Sequence, residues 1–374
     1  MEKFYLKDTL FNRQKVEYLG ALIKGAYPPF DAEKFVFQSL RRFPHLELKQ
    51  RIYCLRKQLE KQLPEDFSSA TDILLKALPE ELDANKKDND FGDFIFAPLS
   101  DFVAKNGLQK QHLNLAFEAL AAMTKRFSCE DSVRFFINKY PQQSLRFMRK
   151  MSLSDNYHQR RLASEGLRPK LPWCIGISLD YQKALPILNN LYSDKTRFVV
   201  RSVANHLNDI AKFDADLVVN TLKKWQVENR QKDKKQLDFL LKHSLRTLLK
   251  QGNIDALELL GFKPNPRIDI SNFKLKNKRI CLGEWLDFSF DINSANRQKL
   301  MIDYKIIYPS KNARKSTKVF KLKTLDLPAK TPTLLQKKHL FKLMSTKKLH
   351  SGTHQIQLQI NGKCYAKSDF ILQI

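Results

Sequence analysis

At 374 residues the chain has room for two domains, each with its own core. Its 66 Lys+Arg against 39 Asp+Glu leave a formal net charge of +27. That excess points to nucleic acid, an anionic membrane surface or an acidic protein as partner, with a merely solubilising cationic surface as the plain alternative. Cys54, Cys129, Cys174, Cys281 and Cys364 are scattered and form no C-x-x-C pair, which argues against a disulfide framework or a zinc module. The absence of an apolar signal region in residues 1–11 and of an 18-residue apolar run leads us to expect a soluble, cytoplasmic protein with no membrane partner.

From Asp8 to about Gly261 the pattern is helical. Asp8 is a plausible N-cap for the apolar positions Leu10, Phe11, Val16, Leu19 and Ile23. Asp31 opens a helix whose apolar side carries Phe35, Val36 and Leu40. Pro64, Pro79, Pro98, Pro141, Pro169, Pro172 and Pro186 are expected between helical segments. Asp194, Asp214 and Asp233 each precede an amphipathic run of about helix length. Within this region the segment around Arg161 has a counterpart around Arg201, 40 residues on, and a weaker one at Lys242–Arg246, beginning a further 41 residues on. A period near 40 in a helical chain is the signature of stacked HEAT-type helix pairs, which predicts an α-helical repeat superhelix (an α-solenoid) over residues 1–262.

The composition shifts at Gly261-Phe262-Lys263-Pro264-Asn265-Pro266. Beyond this linker, alternation over Trp285–Ile292, Met301–Ile306 and Gln355–Ile360 predicts strands, and Asn361-Gly362 predicts a two-residue hairpin turn towards Cys364-Tyr365 and Phe370-Ile371. A small all-β immunoglobulin-like sandwich is therefore expected over 267–374. That segment holds 22 Lys+Arg and 7 Asp+Glu, a net of +15, so it is expected to touch the same polyanion as the helices.

Candidate chemistry begins with what is missing: no G-x-x-x-x-G-K-[ST] loop, no G-x-G-x-x-G, no H-E-x-x-H. No cofactor or metal is expected. Glu130, Glu165 and Asp209 stand out as acids among basic residues, where a carboxylate would repel phosphate unless it had a job. Plainer readings stand beside each: a first-turn acid for Glu130, a partner of a neighbouring arginine for Glu165, a helix-end residue for Asp209. Trp173 ends a loop stiffened by Pro169 and Pro172; core packing and presentation to a nucleobase both fit that placement.

The segments Arg160-Arg161-Leu162-Ala163-Ser164-Glu165-Gly166-Leu167-Arg168-Pro169-Lys170-Leu171-Pro172-Trp173 and Val200-Arg201-Ser202-Val203-Ala204-Asn205-His206-Leu207-Asn208-Asp209-Ile210 together resemble the bacterial DNA alkylation-repair glycosylases built of HEAT-like repeats. With the β domain, the chain is most similar to their AlkC branch, over most of Asp90 to Phe262; AlkD, the sister branch, lacks that domain. The resemblance implies a basic helical face gripping duplex DNA and hydrolysis of the N-glycosidic bond of cationic N-alkylated bases such as 3-methyladenine and 3-methylcytosine, without a deep base-flipping pocket. It implies that Glu130, Glu165 and Asp209 form the acidic cluster at the scissile bond and that Trp173 contacts the deoxyribose or base of the lesion. Arg160, Arg161, Arg168, Lys170, Arg197, Arg201, Asn205, Lys242 and Arg246 are then expected to bind DNA, with Arg161 and Arg201 facing phosphate from equivalent repeat positions. Asp131 departs from the family pattern, which has an apolar residue after the first acid. A bacterial, nucleoid-associated monomer is expected. Two other classes share the charge: a non-catalytic nucleic-acid-binding scaffold and an adaptor for an acidic protein.

Overall fold

The computed structural model describes residues 5–86, 88–309, 316–343 and 348–374. These fall into two compact units, residues 1–213 with 228–244, and residues 214–227 with 245–374.

In the first unit, helix starts follow local chemistry. Asn12 accepts the Lys15 N–H, Asp31 that of Lys34, and Asp66 that of Ser69, each satisfying a donor the first helical turn leaves free. Asp194 takes both the backbone N–H and the hydroxyl of Thr196 ahead of helix Arg197–Ile210, and Asp233 caps Lys234–Ser244. Asp8 does not act as the N-cap expected of it. It lies inside the short helix Leu6–Leu10 and accepts Arg51 at 2.5 Å, while Asn12 caps the longer helix Arg13–Ala26. Pro98, Pro141 and Pro186 sit within first turns, where a missing N–H costs nothing.

These helices pack in two rows. Leu48–Glu60 packs on Ala97–Asn106 and that on Glu130–Lys139; Tyr157–Glu165 packs on Arg197–Ile210 and that on Lys234–Ser244. Behind them, Phe67–Lys76 meets Leu113–Met123, and Pro141–Ser152 meets Leu185–Leu191. The period of about 40 reappears as hydrogen bonds between successive repeats. Arg134 reaches the Ile175 carbonyl 41 residues away, Arg168 reaches Asp209 (41), His206 contacts the Ser164 carbonyl (42), and His243 meets Asn205 (38). Among the described residues no helix is long and apolar enough to cross a membrane.

The second unit carries the sandwich. Strands β1 (Asp269–Leu275), β2 (Arg279–Cys281), β3 (Trp285–Asn293), β4 (Gln298–Tyr308), β5 (Ser316–Leu327), β6 (Thr333–Leu340), β7 (Gly352–Ile360) and β8 (Lys363–Gln373) form two sheets, ordered β1-β3-β6 and β2-β8-β7-β4-β5. The expected alternation is visible in β3, where Leu286, Phe288, Phe290 and Ile292 turn into the core while their neighbours face outward. The expected hairpin joins β7 to β8, with Asn361 at φ 43° and Gly362 at φ 83°, the left-handed pair a two-residue turn requires. Gly252 and Gly362 approach so closely that a Cβ on Gly362 would lie 2.6 Å from the Gly252 Cα. Helix Arg246–Gln251 and the Leu260–Lys263 segment are tied to the sheets by Gln359 to the Lys250 carbonyl, Lys299 to Leu260 and Asn361 to Lys263.

Candidate active site

The site begins with a buried chain of alternating charges. Arg161, on helix Tyr157–Glu165, lies 3.5 Å from Glu130 and 3.8 Å from Glu165, and donates to the Ser128 hydroxyl. Arg168 donates to Glu165 at 2.6 Å and to Asp209 at 2.8 and 2.9 Å. Lys212 closes the line on the other Asp209 oxygen at 2.8 Å. Three carboxylates thus alternate with three cations, from the start of helix Glu130–Lys139 to the end of Arg197–Ile210.

The repeat builds this line. Glu165 closes one helix of the row, with Arg168 three residues beyond it, and Asp209 lies at the end of the next, so helix packing brings them together. Ser202, about two turns before Asp209 on the same helix, donates to Glu165 at 2.6 Å. Phe91 and Phe198 flank the Arg161 guanidinium at 5.2 and 4.5 Å from their ring centres, replacing water on its faces.

Burial grades along the line. The Glu130 side chain is 20% exposed, Glu165 6% and Asp209 3%. Burial alone would raise the Glu165 carboxyl, but Arg161, Arg168 and the Ser202 hydroxyl hold it below the usual carboxylate range. Arg168 is likewise opposed by burial, yet Glu165 and Asp209 hold its proton more tightly. His206, beside this buried end, is pushed down to about 4, first by burial and then by Arg168.

The other end opens on a cavity of about 150 Å³ lined by Ser128, Glu130, Asp131, Trp173 and Cys174, among others. Ser128 donates to Glu130. Trp173 is 70% exposed and has φ 66°, a left-handed backbone that a bulky residue rarely adopts. Of the two readings left open for Trp173, core packing is thereby excluded. The loop that presents it is held by Arg134, which is fully buried and donates to the carbonyls of Gly166, Arg168 and Ile175. Asp131 pairs with Lys49 at 2.8 Å. The Cys174 thiol is pushed up to about 12, mainly by burial and by Asp131, so it is held protonated.

The expected DNA-binding residues do not form one exposed row. Arg160 ties down Asp194 at 2.5 Å and the carbonyls of Ser154 and Asp155, which makes it a structural brace. Arg161 and Arg168 are buried within the carboxylate line. The equivalent repeat positions of Arg161 and Arg201 do not bring equal surroundings, since Arg201 is half-buried and bonds Asp88 and Asn89. Arg197 covers the Phe239 ring at 4.0 Å, and Asn205 bonds His243. Lys170 and Lys242 are exposed, whereas Arg246 is half-buried in the second unit. Sequence reasoning missed Ser128, Arg134, Ser202 and Lys212. Ser202 was within reach, because it lies inside the repeated motif; Arg134 carries no sequence signal, since its partners are backbone carbonyls.

This pairing of a helical repeat unit with a C-terminal Ig-like domain defines a known class. Residues 269–374 match the family described as "Uncharacterised protein YhaZ, C-terminal Ig-like domain". The Uncharacterized protein YhaZ of Bacillus subtilis (strain 168) is 31% identical over 365 residues, covering 96% of this chain and 98% of that protein. Pseudomonas fluorescens alkylpurine DNA glycosylase AlkC, solved bound to DNA containing an abasic site analog, is 30% identical, with a TM-score of 0.88 over 99% of this chain and 100% of that one. The chain belongs to the family that contains YhaZ and AlkC.

Proposed function

We propose that the protein is a DNA glycosylase that hydrolyses the N-glycosidic bond of cationic N-alkylated bases in duplex DNA, 3-methyladenine foremost and 3-methylcytosine beside it. The observation that carries this reading is the meeting of Glu130 and Trp173 at one cavity, with Glu165 and Asp209 anchored behind them by two arginines. The full-length likeness to AlkC supports it.

The chemistry asks little more of the residues. An alkylated base already carries positive charge, so the C1′–N bond breaks with its electron pair leaving on the base, which becomes neutral. The sugar left behind is an oxocarbenium-like cation. Glu130, the most open carboxylate of the line, stabilises that cation and takes the proton of the water that adds to C1′, leaving an abasic site for base excision repair to process. Trp173 offers its face to the deoxyribose or base. Glu165 and Asp209 keep Arg161 and Arg168 in place, so Glu130 is oriented without being buried. The exposed Lys170 and Lys242, with Arg201, contact phosphate. The protein acts as a monomer in the bacterial cytoplasm.

Release of free methylated base from alkylated duplex is the test. Stoichiometric release by the wild-type protein supports the reading. Tight DNA binding without release would make the protein a scaffold, and no DNA binding would make it an adaptor for another polyanion.

A further inference from the structure

A second surface of the helical unit combines unpaired cations with an exposed phenylalanine and a half-buried tyrosine. Phe213, just beyond the end of helix Arg197–Ile210, is 55% exposed. Its ring stacks on Tyr181 with centres 6.2 Å apart and planes 15° apart, and the Lys170 ammonium lies 5.2 Å from its centre. Beside Tyr181 in the chain, Lys183 joins Arg146 and Arg149 around a hollow of about 460 Å³. All three cations are exposed, and among the described residues none is ion-paired, although Asp180 also lines the hollow. The Asp180 carboxylate already accepts the Gln182 N–H at the start of its short helix. Arg146 and Arg149 stand on Pro141–Ser152, in the row of helices behind the carboxylate line.

We infer that this surface binds a single-stranded segment of DNA, with a base stacked on Phe213 and Tyr181 and phosphates held by Lys183, Arg146 and Arg149. Exposed aromatic faces next to a basic hollow suit single strands, because every base has a π-face and the backbone needs only positive charge. A duplex keeps its bases stacked on each other and has no use for Phe213. An acidic peptide would satisfy the cations but leave the aromatic pair idle. The inference requires nucleic-acid binding and no excision activity, so it stands or falls apart from the proposed reaction.

The experiment measures anisotropy of a labelled oligothymidylate of about twelve nucleotides and of a blunt undamaged duplex with the full-length protein. Phe213→Ala should weaken the single strand about tenfold and the duplex less than about twofold, with Phe213→Tyr restoring the loss. Arg146→Glu with Arg149→Glu should lower the salt slope for the single strand by about 1.4, at about 0.7 for each lost phosphate contact. Unchanged oligothymidylate affinity in these variants, equal losses on duplex and single strand, or equally strong competition by polyglutamate would overturn the assignment. Base release by the wild-type protein is scored separately, so its failure would sink the glycosylase reading and leave this surface untouched.

Discussion

The two ends of the carboxylate line differ in burial and in what surrounds each carboxylate. At the buried end, Glu165 and Asp209 are almost closed to solvent, and among the described residues their carboxylate oxygens meet cations and Ser202. At the open end, Glu130 shares Ser128 with Arg161 and lies beside an exposed tryptophan. Buried charges are tolerated when paired and hydrogen-bonded, and they contribute rigidity more than net stability. A carboxylate that must stabilise a developing cation needs that rigidity behind it and an opening in front.

The largest expected effect on stability comes from breaking the buried end. Arg168→Ala leaves Glu165 and Asp209 without their shared guanidinium and should destabilise the helical unit by about 3–5 kcal/mol, read by denaturant melts. Asp209→Asn removes the charge opposite Arg168 and should also lower stability. Sequence reasoning alone expects that substitution to cost excision and leave melting nearly unchanged.

Acid should attack the same end. The folded pKa of His206 lies near 4, below the ordinary value of about 6.5, so its contribution is fully present above pH ~6.5 and is lost as pH falls towards 4. His158, also held near 4 chiefly by burial, adds to the same window. Stability should fall by about 1.4 kcal/mol per pH unit for each histidine. Glu165, whose folded pKa is depressed, extends the loss below the ordinary carboxylate range of about 4.3. Melting temperature against pH measures this; a flat profile from pH 7 to 4 would mean that the histidines are not held neutral.

The smallest stability effect belongs to the open end. Trp173→Gly removes an exposed side chain and relieves a left-handed backbone, so stability should hold or rise by up to about 1 kcal/mol. Binding to alkylated duplex should nonetheless weaken by about tenfold if the ring meets the lesion. Unchanged binding to alkylated duplex would instead remove Trp173 from the lesion contact.

Much of this was legible beforehand, for physical reasons that differ by element. The period of 40 survives into the hydrogen bonds because stacked repeats place equivalent residues against each other, as with Arg168 and Asp209. β3 and β7 announced themselves by alternation and the β7–β8 hairpin by Asn361-Gly362. β5 and β6 did not, since Lys318, Lys321, Lys323, Lys337 and Lys338 crowd them and obscure the apolar face. Charge type was readable at Arg160 and Arg161, but exposure was not. Which arginine points into a carboxylate line and which to solvent depends on residues such as Asp194 and Glu130, more than 30 positions away.

We propose that the open carboxylate acts while the buried pair holds it in place. Single-turnover release of 3-methyladenine from alkylated duplex, compared between wild type and Glu130→Gln at matched folding, tests this most directly. We predict release by the wild type and a loss of at least ~100-fold for Glu130→Gln, with duplex affinity and melting temperature nearly unchanged. Equal release by the two proteins would contradict the claim and move the chemistry to Glu165 or Asp209.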